Sequence, residues 1–249
     1  MGVNTAHTLT LSNSLVLVNA QHPLSQALSP DLTPVDEGYP EVLLERQAAA
    51  LLNACLRAVG GLGKIVPVSG WRSREEQQAI WDSTLRTEGE AFTRQYVARP
   101  GCSEHETGLA IDLGLAAPHI DYIRPHFPDS GVCAAFRRRA AEYGFVLRYP
   151  AGKEAVTGIA HEPWHFRYVG VPHARIMARL GLTLEEYVAL ARRHSPRDPL
   201  WERQGVFSCR VYGQAGAHPQ VQPVSCGWQT ASRDNCGGWI VTQWQREAE

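Results

Sequence analysis

The sequence predicts an α+β protein, in which an antiparallel sheet carries helices on one face and a small C-terminal extension follows. Two observations favour this fold class. Short β-rich runs alternate with segments of helical apolar spacing between residues 41 and 195. The composition then changes, because three of the six Cys and four of the seven Trp lie in residues 197–249. We therefore expect one domain over residues 1–195 and a β-rich extension over residues 196–249.

The N-terminal part is expected to hold a strand, a long loop and a helix. Residues 15–18 form a short apolar run that predicts a strand, and prolines interrupt the chain from there to Pro40. Apolar residues then recur at helical spacing over residues 41–59, and Gly60 follows as a stop signal. We predict a core helix over that range.

A strand followed by a capped helix is predicted over residues 64–86. The run 64–69 is rich in β-branched residues, which favour strands. Ser73 and Glu76 then have the spacing of a capping box, in which each side chain satisfies a backbone N–H of the other residue. Arg72 is therefore expected at a corner between the strand and the helix.

Residues 107–113 alternate as a strand does, with Asp112 on the same face as Gly108 and Ala110. Small residues on that face would let a metal ion or a substrate approach the backbone. Three further elements are expected: a helix over 132–143 that ends at Gly144, a strand over 159–168, and a helix from Thr183 to near His194.

Composition and charge exclude two classes of partner. The chain has 24 basic and 25 acidic residues and a formal net charge of -1, so no global field attracts nucleic acid or an anionic membrane. The N-terminal region has no basic cluster before an apolar run, and no run is long enough for a membrane span. Because the six Cys show no CxxC spacing, we expect reduced thiols and a cytoplasmic protein.

Reactive side chains concentrate in three segments, which are residues 70–73 (GWRS), 103–112 (SEHETGLAID) and 161–166 (HEPWHF). Two His and one carboxylate form a ligand set that suits Zn²⁺ and leaves a fourth position open for water. Such an ion lowers the pKa of its water to about 7 and polarises a carbonyl group. A carboxylate that is not a ligand would then serve as the general base.

Residues 161–165 also match the H-E-x-x-H pattern, in which two His on one helix face bind zinc. Pro163 disfavours that interpretation, because proline inside a helix costs roughly 3 kcal/mol. In a regular strand, however, Glu162 and His165 point to opposite faces. A bulge or bend at Pro163 is therefore needed if both side chains are to reach one metal ion.

With these motifs the chain resembles the zinc D-Ala-D-Ala peptidases of the VanY, VanX and VanXY group. Their S-x-H-x-x-G-x-A-x-D pattern matches residues 103–112, and their later E-x-x-H, with Trp before the second His, matches residues 162–165. Residues 69–73 (SGWRS) are similar to the segment that carries an arginine beside the metal in that group. The resemblance covers about residues 14–195.

The resemblance implies a role for each matched residue. His105, Asp112 and His165 would bind one zinc ion, and Glu162 would activate the water and pass its proton to the leaving amine. Arg72 would stabilise the oxyanion. The residues expected to bind the substrate are Ser103, Gln77 and Trp164. The alternative for Ser103 is a simple turn serine, and the alternative for Gln77 is a solvated helix position.

The resemblance and the lack of an export signal together suggest a bifunctional enzyme of the VanXY type that acts in the cytoplasm. The expected substrates are the D-Ala-D-Ala dipeptide and the muramyl pentapeptide precursor that ends in it, a chemistry that confers glycopeptide (vancomycin) resistance. Precursors ending in D-Ala-D-Ser would have to be spared. The alternatives are a phage-type peptidoglycan endopeptidase with the same metal site and a non-catalytic, hedgehog-like zinc module.

The sequence leaves the role of the extension open. Residues 226–228 (CGW) and 236–239 (CGGW) resemble each other and suggest two strands of a small sheet. Cys209, Cys226, Cys236 and His218 would offer ligands for a second zinc ion, although buried or free thiols are the stronger expectation. We expect the extension to pack on the core or to pair subunits, and the sequence does not predict the oligomeric state.

Overall fold

The computed structural model describes residues 9–221 and 227–247. The chain divides into two compact units, of which the larger is Val18–Thr183 and the smaller joins Leu184–Glu249 to Met1–Leu17. Elements are numbered along the chain. No helix in the described ranges is both long and apolar enough to cross a membrane.

The larger unit combines a four-stranded sheet, a hairpin and six helices in its described residues. Its strands are β2 (Leu32–Asp36), β3 (Tyr39–Glu45), β4 (Ile65–Ser69), β5 (Ala110–Leu115), β6 (Phe145–Tyr149) and β7 (Glu162–Tyr168). Its helices are α1 (Arg46–Ala58), α2 (Arg74–Glu88), α3 (Glu90–Tyr96), α4 (Gly131–Arg139), α5 (Glu154–Thr157) and α6 (Val171–Leu180). Short 3-10 helices occupy Glu104–Thr107 and Ala140–Tyr143.

The four-stranded sheet has the order β4-β5-β7-β6, and all its neighbouring strands are antiparallel. Ile111, Leu113 and Phe166 from this sheet join one hydrophobic core with Leu52 of α1 and Phe136 of α4, and all five are fully buried. Burying each such side chain stabilises the fold by about 1.5–3 kcal/mol. The predicted α+β class, with helices packed on an antiparallel sheet, is confirmed.

The capped elements lie close to where the sequence predicts them. Ser73 accepts from the backbone N–H of Glu76 while the Glu76 carboxylate accepts from the N–H of Ser73, so the capping box opens α2 as expected. Helix α4 continues into the second 3-10 helix and ends at Gly144, whose φ of 85° is the left-handed conformation that glycine adopts freely.

Two predictions in the N-terminal part are wrong. Residues 15–18 are buried but form no strand. The helix expected over 41–59 begins only at Arg46, because residues 39–45 pair with β2 in a hairpin. Leu44 fits both the helical and the alternating pattern, so apolar spacing alone does not separate the two structures. The Glu45 carboxylate, which accepts from the N–H groups of Gln47 and Ala48, marks the start of α1.

The smaller unit is built on a five-stranded sheet with the order β1-β10-β11-β9-β8. Strand β1 is parallel to β10, and the other neighbours are antiparallel. The assignment of residues 1–195 and 196–249 as separate domains stays a prediction. The elements of this unit are β1 (Leu9–Ser12), α7 (Leu184–Ala191), β8 (Leu200–Gln204), β9 (Phe207–Ala215), β10 (Gln229–Arg233) and β11 (Gly238–Arg246).

The five described cysteines are free thiols, and Cys55 and Cys133 lie in the hydrophobic core. In the smaller unit, Cys209 is fully buried and Cys236 is partly exposed. Cys226 lies outside the described residues, so the alternative of a second zinc site that includes it is untested.

Candidate metal centre

Three side chains from different segments meet on the face of the four-stranded sheet opposite the hydrophobic core. His105 lies on the 3-10 helix before β5, Asp112 lies on β5, and His165 lies directly across from Asp112 on β7. His105 Nε2 is 3.3 Å from Asp112 Oδ2, and His165 Nδ1 is 3.1 Å from Asp112 Oδ1. Among the described residues, these three form a group whose potential ligand atoms lie within 4.8 Å of one another.

The orientation of His105 is set by a backbone carbonyl. Its Nδ1 lies 2.7 Å from the oxygen of Gly70, which only accepts hydrogen bonds, so Nδ1 carries the proton. The Nε2 lone pair is therefore directed at Asp112. Burial, and then the charge of Arg72, lower the pKa of His105 to about 4, so the ring is neutral at pH 7 as a metal ligand must be.

Asp112 supplies the anionic side chain of the group. Although burial raises its pKa, the neighbouring His105 and His165 bring it well below its usual value, so the carboxylate is ionised. Its Oδ1 is buried and has no hydrogen-bond partner among the described residues. A buried carboxylate oxygen in that state is costly unless a cation binds it. Two imidazoles and one carboxylate therefore fit a divalent ion such as Zn²⁺.

Strand β7 is distorted near Pro163, where the sequence predicts a bulge or bend. The pairing between β6 and β7 shifts register between Leu147 and Tyr149, opposite residues 162–166. The shift places Glu162 Oε2 3.5 Å from His165 Nδ1, although the two residues have opposite parity. The predicted bulge near Pro163 is thus confirmed. Residues 162–168 form a strand, so the helical H-E-x-x-H interpretation does not apply.

Glu162 lies in a buried position beside the group of three. Only 5% of its surface is exposed, and burial raises its pKa to about 8 in the absence of a metal ion. The positive charge of a bound divalent ion would favour the ionised carboxylate. Glu162 therefore has the basicity and the location of a proton acceptor beside the centre.

Arg72 is held by three acceptors at the same end of the cavity. Its Nε donates to Ser69 Oγ at 2.9 Å, its Nη1 to Gln77 Oε1 at 3.3 Å, and its Nη2 to Asp112 Oδ2 at 3.0 Å. The Gln77 amide also donates to the Ala98 carbonyl at 2.8 Å. Both ends of that amide are thus engaged, which makes Gln77 a support for Arg72.

The centre opens into a cavity of about 330 Å³, which is within the size range of small-molecule sites. Ser103, Trp164 and Gln77 line it together with Arg72 and Glu162, so the structure brings the predicted site residues to one place. Their contacts with a substrate stay a prediction. The lining also includes apolar and aromatic side chains, which are Ile80, Tyr96, Val97, Tyr122, Ile123 and Ile159.

One feature of the centre differs from the sequence prediction, and a second was not predicted. Gly108 is not part of β5; it ends the 3-10 helix with a φ of 72°, and a side chain there would press against Leu32 and Pro30. Glu104 is fully buried beside His165, yet no pattern singled it out, because glutamate is usually exposed. Its position directly before His105 was the sequence signal that could have pointed to it.

Replacing Gly70 by Ala should destabilise the protein and loosen the metal centre. A Cβ at Gly70 would lie 2.2 Å from the carbonyl oxygen of Leu43, and that atom belongs to the backbone of β3. Forced overpacking of this kind costs about 1–3 kcal/mol, and the strain falls on the residue whose carbonyl orients His105. Thermal unfolding and zinc titration would measure both effects.

Gly38→Ala serves as the matched control, because the atom nearest to its added Cβ is the movable Asp36 carboxylate at 3.1 Å. We expect its free energy of unfolding to change by less than about 0.5 kcal/mol. Equal free energies of unfolding for the two variants would contradict the prediction, because they would show that the backbone of β3 moves aside without loss of stability.

Comparison with known proteins agrees with this geometry. The family model for VanY, D-alanyl-D-alanine carboxypeptidase, matches residues 42–171. The bifunctional D-Ala-D-Ala dipeptidase and D-Ala-D-Ala carboxypeptidase VanXYC of Enterococcus gallinarum is 44% identical over 179 residues, which are 70% of this chain and 93% of that protein.

Two solved structures extend the comparison. The vancomycin-resistance D,D-dipeptidase VanXYg, in complex with a D-Ala-D-Ala phosphinate analogue, is 42% identical with a TM-score of 0.91 and covers 94% of each chain. The VanY D,D-pentapeptidase of a VanB-type cassette, in complex with Zn(II), is 32% identical with a TM-score of 0.59 over 70% of this chain and 98% of that one. The resemblance seen in the motifs is confirmed, and the chain belongs to the VanY family of D-alanyl-D-alanine carboxypeptidases.

Proposed function

We propose that this peptidase hydrolyses the D-Ala-D-Ala dipeptide and also removes the terminal D-Ala from muramyl pentapeptide precursors. The observation that carries the proposal is the meeting of a buried ligand group, a buried carboxylate and an anchored guanidinium at one end of a single cavity. The paired dipeptidase and carboxypeptidase activities of VanXYC support both reactions, and the VanXYg complex with a D-Ala-D-Ala phosphinate analogue supports the dipeptide as a substrate. Such an activity in the cytoplasm would confer glycopeptide resistance.

His105, Asp112 and His165 would hold one zinc ion in this proposal. The ion would supply Lewis-acid chemistry, polarising the scissile carbonyl and making a water molecule more acidic. The protein fixes the ligands on rigid elements, because Asp112 and His165 face each other on paired strands and Gly70 orients His105. Rigid support of this kind holds a reactive geometry more accurately than a loop does.

Glu162 would act as the general base and then as the general acid. Its carboxylate accepts the proton of the attacking water and donates it to the amine of the leaving D-Ala. Burial beside the centre supports this role, since it raises the affinity of the carboxylate for a proton. The distortion of β7 is what brings Glu162 to the reacting group.

Arg72 would stabilise the negative charge that develops on the carbonyl oxygen. A guanidinium held by three acceptors needs no reorganisation when that charge appears, so it favours the transition state over the bound substrate. Ser103 would help to hold the free carboxylate of the substrate, and Trp164 would bound the pocket. Gln77 would contribute by fixing Arg72.

The test is D-alanine release from three substrates by protein with a quantified zinc content. We expect release from D-Ala-D-Ala and from a muramyl pentapeptide, and slower release from D-Ala-D-Ser. A pocket built on apolar fit rejects an added hydroxyl by only roughly a hundredfold, so stronger rejection would reveal a polar or steric mismatch. A zinc-loaded protein that releases nothing from these substrates would contradict the proposal. Cleavage of cross-linked wall peptides alone would identify an endopeptidase.

A further inference from the structure

We infer that Glu104 is a positioning residue of the metal centre, whose Oε2 accepts the Nε2–H of His165 and so directs the Nδ1 lone pair of His165 at the metal ion. The inference rests on the proposed function, because it concerns a ligand of the proposed zinc site. Neither the motif match nor the cavity lining assigns Glu104 this role.

Glu104 is anchored through one of its two oxygens. Its side chain is fully buried, and its Oε1 accepts from Arg148 Nε at 2.7 Å and pairs with Arg167 Nη1 at 2.9 Å. Both guanidinium groups are themselves fully buried. The hydrogen bond from Arg148 and the ion pair with Arg167 act on the same oxygen, so they hold the carboxylate in place and leave Oε2 with its lone pairs available.

The available oxygen faces His165. Glu104 Oε2 lies 3.8 Å from His165 Nε2, and each of these buried atoms has no hydrogen-bond partner among the described residues. Two facing buried polar atoms without partners are costly, and a small rotation of either side chain would join them in a hydrogen bond. The atom pair is therefore poised for one specific contact.

The other nitrogen of the same ring faces the metal centre. His165 Nδ1 lies 3.1 Å from Asp112 Oδ1 and 3.5 Å from Glu162 Oε2. An imidazole nitrogen binds a metal ion only through a lone pair, so the proton of the neutral ring must reside on Nε2. An acceptor beside Nε2 selects that tautomer and holds the ring plane, which is how carboxylates support metal-binding histidines in general.

The Glu104→Gln variant distinguishes the roles of the two carboxylate oxygens, because it keeps one oxygen and replaces the other by an NH₂ group. The guanidinium groups of Arg148 and Arg167 are donors and will retain the amide oxygen, so the amide NH₂ is turned toward His165 Nε2. That nitrogen must then accept, and the ring proton moves to Nδ1, where it blocks the ligand position. We expect zinc affinity, measured by competition with a chelator, to fall by roughly 10- to 100-fold.

A double variant, Glu104→Gln with Arg148→Met, distinguishes positioning from simple charge balance. If Glu104 served only to neutralise the arginines, removing Arg148 would restore both the Tm of the metal-free protein and the zinc affinity. The positive charge of Arg167 still lies beside the amide oxygen in this variant, so we expect the Tm to recover and the zinc affinity to stay weak. The double variant also provides the measurement if the single variant does not fold.

Zinc affinity within about threefold of the wild type in a folded Glu104→Gln variant would overturn the inference and leave the proposed function intact, since tenfold is the least loss that such a partner typically causes. Recovery of zinc affinity together with Tm in the double variant would overturn it as well. Wild-type protein that binds no zinc at all would overturn the proposed function and the inference together.

Discussion

Replacing Glu162 by Gln is expected to lower kcat for D-Ala-D-Ala by roughly 10²- to 10⁴-fold while one zinc ion stays bound. Gln has the size of Glu and keeps a hydrogen-bonding head group, but its amide does not take a proton from water at neutral pH. The three proposed ligand residues are unchanged, and the contacts of Gly70 with His105 and of Arg72 with Asp112 do not involve Glu162. The variant therefore removes the proton transfer and retains the metal site.

The measurement is single-substrate kinetics on protein whose zinc content has been determined, with Glu154→Gln as the matched control. Glu154 is an exposed glutamate at the start of α5, eight positions before Glu162, and we expect its replacement to leave kcat within about twofold. Loss of zinc together with activity in Glu162→Gln would assign Glu162 to the ligand set. An unchanged kcat would exclude it as the base.

The sequence predicts the positions of Asp112 and Glu162 better than it predicts the fold of the chain around them. Alternation over residues 107–113 places Asp112 on one face of the strand and the apolar Ile111 and Leu113 on the other. In the structure Ile111 and Leu113 lie in the hydrophobic core and Asp112 lies on the opposite face, across from His165. The conflict between an E-x-x-H spacing and a strand points to a distortion at Pro163, and the register shift in β7 provides it. In both cases a local rule limits the backbone to a few conformations.

The parts that the sequence does not predict depend on contacts between distant segments. Residues 39–45 join a hairpin although their apolar spacing continues into α1, because pairing with β2 overrides the local pattern. Glu104 is buried only because Arg148 and Arg167 reach it from β6 and β7, about 44 and 63 positions later in the chain. No local pattern carries that information.

Support for the centre is shared between neighbouring segments. The segment after β4 provides Gly70, which orients His105, and Arg72, which binds Asp112 Oδ2. Gly70 in turn packs directly on the backbone of Leu43 in β3. The β2–β3 hairpin supplies none of the proposed metal ligands, yet it supports the residue that orients His105. A change at Gly70 is therefore expected to affect both stability and zinc binding.

Replacing Arg72 by Ala should lower kcat by roughly 10²- to 10³-fold with a smaller change in KM, the usual effect of removing one oxyanion donor. The reason is that the guanidinium meets full negative charge only in the transition state, so its loss is felt mainly in turnover. Arg72→Lys keeps the charge but loses the fork that binds three acceptors, and we expect an intermediate kcat.

Because Arg72 also binds Asp112, the zinc content of each variant must be measured beside its kinetics. Gln77→Leu provides the companion variant, since it removes the acceptor of Arg72 Nη1 and leaves the contact with Asp112 in place. We expect a smaller fall in kcat there, with zinc retained. A rise in KM alone in Arg72→Ala would show that Arg72 binds the ground state of the substrate, and the oxyanion would then depend on the metal ion and its ligands.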